Sequence, residues 1–201
     1  MVVCGAIENN QSTLSTPTGN SISYTLQQFQ VADSTQSPVY LWTGTDAAGG
    51  SNWTLSVTLV GTAVKYGFAC LVFRSSNGVG TSNLATVTGG NSTVSFTTTG
   101  ANSAIVTIVT DWNAVDGSSR VWRTVNSITP TTGNGLETTY AFETPNYTIY
   151  GAYYNDAGAI GSKTMGVSSP GSGNFTTAAV EILGGAGGGG GTYTTFSWTS
   201  F

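Results

Sequence analysis

Trp53-Thr54-Leu55-Ser56-Val57-Thr58-Leu59 puts an apolar side chain at every second position and a hydroxyl at each position between. A period of two is that of a β-strand, whose successive side chains leave on opposite faces. The segment therefore predicts a strand with one packed face and one wet face. Val94-Ser95-Phe96-Thr97 and Ile22-Ser23-Tyr24-Thr25-Leu26 repeat the pattern. In residues 176–183, Ala178, Val180 and Ile182 fall on one face, and Glu181 falls on the other, towards water.

Two further runs, residues 68–73 and 104–109, are apolar almost throughout. Such runs predict central strands covered on both faces. Residues 147–154 predict an aromatic strand with tyrosines on both sides. Between the runs lie Asn77-Gly78, Gly89-Gly90-Asn91, Asp116-Gly117, Gly133-Asn134-Gly135 and Ser169-Pro170-Gly171, all turn chemistry. The reading is about ten short strands at the turn spacing of a β-sandwich. No stretch carries a capped 3.6-residue apolar stripe. The predicted class is all-β, with two antiparallel sheets packed face to face in a jelly-roll-like topology.

Composition agrees. The 201 residues include 57 Ser or Thr and 28 Gly, but only five basic and nine acidic side chains and no histidine. Without histidine there is no Ser–His–Asp triad and no imidazole metal ligand. Five cations at a net charge of −4 do not make a phosphate-tracking surface, so no nucleic-acid partner is expected. No run reaches the length of a membrane span, so no membrane is expected either. Met1-Val2-Val3-Cys4-Gly5 does not read as a secretory signal. Cys4 and Cys70 make no disulfide framework, and Cys70 reads as a free buried thiol in a strand.

The chain divides into four parts. Residues 1–20 read as an N-terminal arm or loose first strand, and 21–183 as a single β-sandwich domain. Residues 184–191, seven glycines and one alanine, read as a Gly-rich tether. Residues 192–201 read as an aromatic C-terminal strand or arm. A tethered strand of high β-propensity suits addition to an exposed sheet edge. It can return to its own domain or dock on a neighbouring subunit, which makes Tyr193, Phe196, Trp198 and Phe201 the partner-binding candidates.

Chemistry is sparse. Glu137 and Glu143 flank a strand-like segment, but at strand rise they lie about 20 Å apart, too far to act as a glycosidase pair. No compact acid cluster exists, and no catalytic residue is expected. Asp111, Asn113 and Asp116 crowd a loop ending in Gly117 and are the candidate oxygen ligands for a metal such as calcium. The favoured reading of the same residues is a strand end turning through Asx and Asp-Gly geometry, with no metal. No cofactor is expected. Trp112 and Trp122 stand at the ends of the polar loop 111–123 and are the candidates for a glycan platform, although packing under the loop is the favoured reading of both. Trp53 reads as core.

Three stretches carry a resemblance. The first is residues 101–117, from Ala101-Asn102-Ser103-Ala104-Ile105 to Asp111-Trp112-Asn113-Ala114-Val115-Asp116-Gly117. The second is Tyr147-Thr148-Ile149-Tyr150-Gly151-Ala152-Tyr153-Tyr154 with Asp156-Ala157-Gly158 and Gly161-Ser162-Lys163-Thr164, and the third is Ala178-Ala179-Val180-Glu181-Ile182. Over residues 39–183 the chain resembles virion structural proteins of tailed bacteriophages and their prophages, of the minor capsid, decoration or tail-associated kind. The resemblance implies a jelly-roll-like domain displayed on a particle. Its motifs are strand-and-turn signatures, so no functional residue is carried over from it.

The functional expectation is a non-enzymatic component of a phage particle, assembled in the host cytoplasm and placed on the particle surface. Its expected partners are the major capsid or tail protein and further copies of itself. The alternative is a carbohydrate-binding module or adhesin.

Overall fold

The computed structural model describes residues 2–7, 12–30, 37–46, 54–61, 66–143, 147–184 and 193–200. Among these residues every regular element is a strand. The first eight are β1 (Val2–Ile7), β2 (Ser12–Leu14), β3 (Tyr24–Gln30), β4 (Val39–Gly44), β5 (Leu59–Gly61), β6 (Tyr66–Phe73), β7 (Val79–Gly90) and β8 (Val94–Thr97). The rest are β9 (Ala104–Asp111), β10 (Val121–Trp122), β11 (Glu137–Glu143), β12 (Tyr147–Tyr154), β13 (Ser162–Met165), β14 (Val167–Ser169), β15 (Gly173–Ile182) and β16 (Tyr193–Ser200).

Two five-stranded antiparallel sheets carry the fold, in the orders β16-β6-β1-β4-β3 and β11-β12-β9-β15-β7. Their facing sides share one core. Val39 and Leu41 of β4 and Leu71 and Phe73 of β6 meet Val106 and Ile108 of β9, Tyr153 of β12, and Ala178 and Val180 of β15. Burying each large aliphatic or aromatic side chain of this set contributes roughly 1.5–3 kcal/mol. The sandwich follows directly from the period-two alternation of these strands.

The apolar runs have a second cause. Both sheets are also covered on their outer sides, so their central strands are buried twice over. All eight residues of β9 and all eight of β12 are buried. Outside the first sheet, Tyr40, Trp42 and Cys70 pack under Leu14, Leu55, Val57 and Leu59. Here the alternation of residues 54–59 holds, with Leu55, Val57 and Leu59 half-buried and the hydroxyl residues exposed. Its ladder is short, however, and comprises β5 on β2 and a lone bridge from Ser56 to Thr18. Trp53 lies outside the described residues.

Outside the second sheet, Ile105, Ala179 and Tyr154 pack under Val94 of β8 and Met165 of β13. The tyrosines of β12 do occupy both sides. Tyr153 joins the inter-sheet core, while Tyr150 and Tyr154 lie on the outer side. The hydroxyls of these three donate to loop carbonyls, Tyr154 to Arg123 at 2.8 Å, Tyr153 to Gly135 at 3.2 Å and Tyr150 to Val115 at 3.4 Å.

The N-terminal reading needs correction. Residues 2–7 are neither an arm nor a loose strand, because β1 is the middle strand of its sheet. It pairs with β4 from Val2↔Thr43 to Ala6↔Val39 and with β6 from Val2↔Leu71 to Ile7↔Tyr66. The domain therefore begins before residue 21.

Candidate functional site

The loop after β9 is built on Asp111. This residue is fully buried, and its carboxylate takes three backbone N–H groups. Oδ1 accepts from Asn113 at 3.1 Å and Asn174 at 2.8 Å, and Oδ2 accepts from Val115 at 2.9 Å. Burial pushes its carboxyl above the ordinary aspartate value, and the Val115, Asn113 and Asn174 amides oppose that shift without cancelling it. Asp116 turns the other way. It is exposed, and its Oδ1 accepts from the Ser118 N–H at 2.8 Å and the Tyr140 hydroxyl at 3.0 Å. The Ser118 amide and then the Tyr140 hydroxyl hold its carboxyl below the usual value.

The structure thus separates the two acids proposed as metal ligands. Asp111 closes an Asx turn from inside and Asp116 closes another from outside, with Asn113 exposed between them. Among the described residues, no three His, Cys, Asp or Glu side chains come together as a metal-binding group.

Tyr140 of β11 organises the next turn. Its hydroxyl accepts the Gly117 N–H at 3.1 Å while donating to Asp116, and the Arg120 guanidinium lies 3.9 Å over its ring. Arg120 is itself forked. Its Nε and one terminal nitrogen hold Glu137, and the other terminal nitrogen donates to the Gly117 carbonyl at 3.1 Å. Glu137, read from sequence as one of two distant acids, is therefore the counter-ion of a nearly buried pair. Beside it opens a cleft of about 250 Å³ lined by Ser118, Arg120, Trp122, Thr129, Thr131 and Glu137.

Of its two readings, Trp122 takes the packed one and not the glycan platform. It is 2% exposed and packs on Val109, Tyr150, Val167 and Phe175, so its ring is no platform on the surface. The strand β10 that carries it is only two residues long, but β14 pairs with it and adds Val167 to the cluster around the ring. Trp112 is half-buried, with its backbone N–H donated to the Asn174 carbonyl at 3.0 Å.

Glu181 is the residue that the sequence reading misplaced. Its face was assigned correctly, away from Ala178, Val180 and Ile182, but that face does not meet water and Glu181 is fully buried. Oε1 accepts from Thr99 and Gly100 N–H at 3.0 Å each. Oε2 accepts from the Thr99 N–H and hydroxyl, both at 2.9 Å, and from the Thr81 N–H at 3.1 Å. Burial pushes this carboxyl up, but the Gly100, Thr99 and Thr81 amides together outweigh it and hold it below the ordinary glutamate value. Gly80 leaves the room, since a Cβ there would overlap Oε2. The sequence signal was present as a glycine on the neighbouring strand, β7.

Comparison with known protein families, with curated proteins and with solved structures finds no match to the chain.

The last group of candidates lies on β16. It pairs antiparallel with β6 without interruption from Tyr193↔Phe73 to Ser200↔Tyr66, with Phe196 opposite Cys70 and Trp198 opposite Phe68. The terminal element is therefore a strand on the edge of its own sheet. Phe201 lies outside the described residues, as do residues 185–192 of the glycine-rich link.

Proposed function

We propose that the protein is a non-enzymatic structural component of a bacteriophage particle, a capsid decoration or minor capsid protein or else a tail component. It acts by surface display and protein–protein contact. The observation that carries this reading is the use made of its few ionic groups. Asp111, Glu181 and the Arg120–Glu137 pair each fasten a loop to a strand. Buried and hydrogen-bonded in this way, they add rigidity to a hydroxyl-rich surface, which suits a durable virion module. The resemblance over residues 39–183 and the jelly-roll-like expectation point the same way. The partners in this reading are the major capsid or tail protein and other copies of the chain, and assembly takes place in the host cytoplasm. Antibody labelling of purified particles viewed by electron microscopy tests it. Label at regular positions on the shell or tail supports the reading, and unlabelled particles oppose it.

A second reading, a carbohydrate-binding module or adhesin, draws on the half-buried Trp112 and the cleft beside Arg120 and Glu137. Glycan-array binding that Trp112→Ala abolishes would favour it. Trp122→Ala is unsuitable as the probe, since removing a buried ring costs about 3–5 kcal/mol of stability.

A further inference from the structure

An unpaired strand edge is a template for another chain, and proteins blunt such edges with charges, bulges or cover. Among the described residues, three of the four edges of the two five-stranded sheets carry such a device. At β3 the register with β4 shifts between Leu26 and Gln28, and the Gln28 side chain clips onto Ser82 of β7 at 2.8 Å. The edge strand β7 shifts register against β15 at two places. At β11 the register shifts between Glu137 and Thr139, and a glutamate stands at each end.

The fourth edge differs. Under β16 lies β6, Tyr-Gly-Phe-Ala-Cys-Leu-Val-Phe, with no charge and no proline. Its ladders to β1 and to β16 run without a register shift. Nothing in β6 itself would blunt its edge if β16 left. The strand is built to be covered, and its cover is the last element of the chain.

The connection to that cover is rich in glycine, seven of the eight residues 184–191. Next to the β7 edge of the second sheet, β15 feeds the glycine-rich link, whereas β16 lies over β11 at the far end of the sandwich. Three strand spacings and one sheet spacing separate them, roughly 17 Å in all. A glycine-rich chain of about ten residues has an r.m.s. span of roughly 16–19 Å, so return to the same domain is allowed without being enforced. A short link of this kind gives an effective concentration of the order of millimolar. Subunits crowded on a lattice reach the same range, and the ladder on β6 is the same whichever copy supplies the strand.

We propose that β6 is a strand acceptor that takes β16 from a second copy of this chain when copies are crowded, so that neighbouring subunits exchange C-terminal strands. This rests on the assembly reading above, but its test needs no particle. Two differently tagged full-length chains are refolded together in a glutathione redox buffer. One carries Cys4→Ser and keeps Cys70; the other carries Cys4→Ser, Cys70→Ala and Phe196→Cys. Residues 70 and 196 then meet only across two chains. The expected result is a mixed disulfide dimer whose yield rises at least about tenfold between about 10 µM and 1 mM protein, a range that ends at the effective concentration of the link. Absence of that dimer at every concentration overturns the proposal, provided that a single chain with Cys4→Ser and Phe196→Cys still closes its internal bond. An equal yield from an off-register partner, Thr199→Cys in place of Phe196→Cys, overturns it too. Should Phe196→Cys impair folding, the pair Phe68→Cys and Trp198→Cys, divided between Cys70→Ala chains, reports on the same register. Strand exchange without particle incorporation would sink only the virion reading, and incorporation without exchange would sink only this one.

Discussion

The Thr99 backbone N–H lies 3.0 Å from one carboxylate oxygen of Glu181 and 2.9 Å from the other. Strand β15 thereby holds the turn that follows β8, and Thr81 and Gly100 complete the grip. Removing one partner of such a set leaves buried donors unmet. Glu181→Gln retains one acceptor oxygen and turns an amide towards N–H groups, so it should cost roughly 2–4 kcal/mol. The urea midpoint measures it. Because the folded carboxyl sits below its unfolded value of about 4.3, its contribution is full above that pH. It is lost as pH falls through the folded value. Acidification below about pH 4 should therefore erode the wild type more than Glu181→Gln.

Asp111 should give the opposite signature. Burial raises its folded carboxyl above the unfolded value of about 3.9. The stability linked to its ionisation is thus present below that value and lost as pH rises towards the folded one. Asp111→Asn turns an amide N–H against a backbone N–H and should cost about 1–2 kcal/mol. The difference from wild type should shrink between about pH 3 and pH 6, measured by urea unfolding at each pH. A difference that grows over that range would contradict the assignment.

Gly80→Ala should mimic damage to Glu181 without touching it. The new Cβ would overlap the Glu181 carboxylate and sit 2.7 Å from the Thr99 hydroxyl. Overpacking of this kind costs about 1–3 kcal/mol. In combination with Glu181→Gln the two losses should be less than additive, since both break one network. Full additivity in thermal unfolding would show that they act separately.

Cys70 should be silent in the native protein. Burial pushes its thiol up to about 11, so little thiolate exists at neutral pH. In a Cys4→Ser background, an aromatic disulfide reagent at about pH 8 should react with it only as urea unfolds the chain. Fast labelling without denaturant would mean that the cover over the outer face of the first sheet opens readily.

Much of this fold is legible in sequence because a strand's period reports its two faces. Ala178, Val180 and Ile182 lie inward as read, and residues 104–109 are covered on both sides. What local period does not report is what lies over a face. Glu181 was placed towards water because nothing near it in sequence reveals Thr99 and Gly100, some eighty residues earlier. Trp122 could be read as packed under its loop, but its partner strand β14, forty-five residues later, could not be read from the sequence around it. The central place of β1 was missed for the same reason. Its partners β4 and β6 are set by pairings across long stretches of chain, and Val2–Ile7 has no alternation of its own. The terminal strand was legible as a strand, while its register on β6 was not.

The most direct test of the proposed virion role is the copy number of this chain in purified phage particles, by quantitative mass spectrometry against the major capsid protein. The account predicts a fixed number that matches the symmetry of the shell or the tail and persists through gradient purification. Absence from the particles, or a trace amount that varies between preparations and washes away, would contradict it.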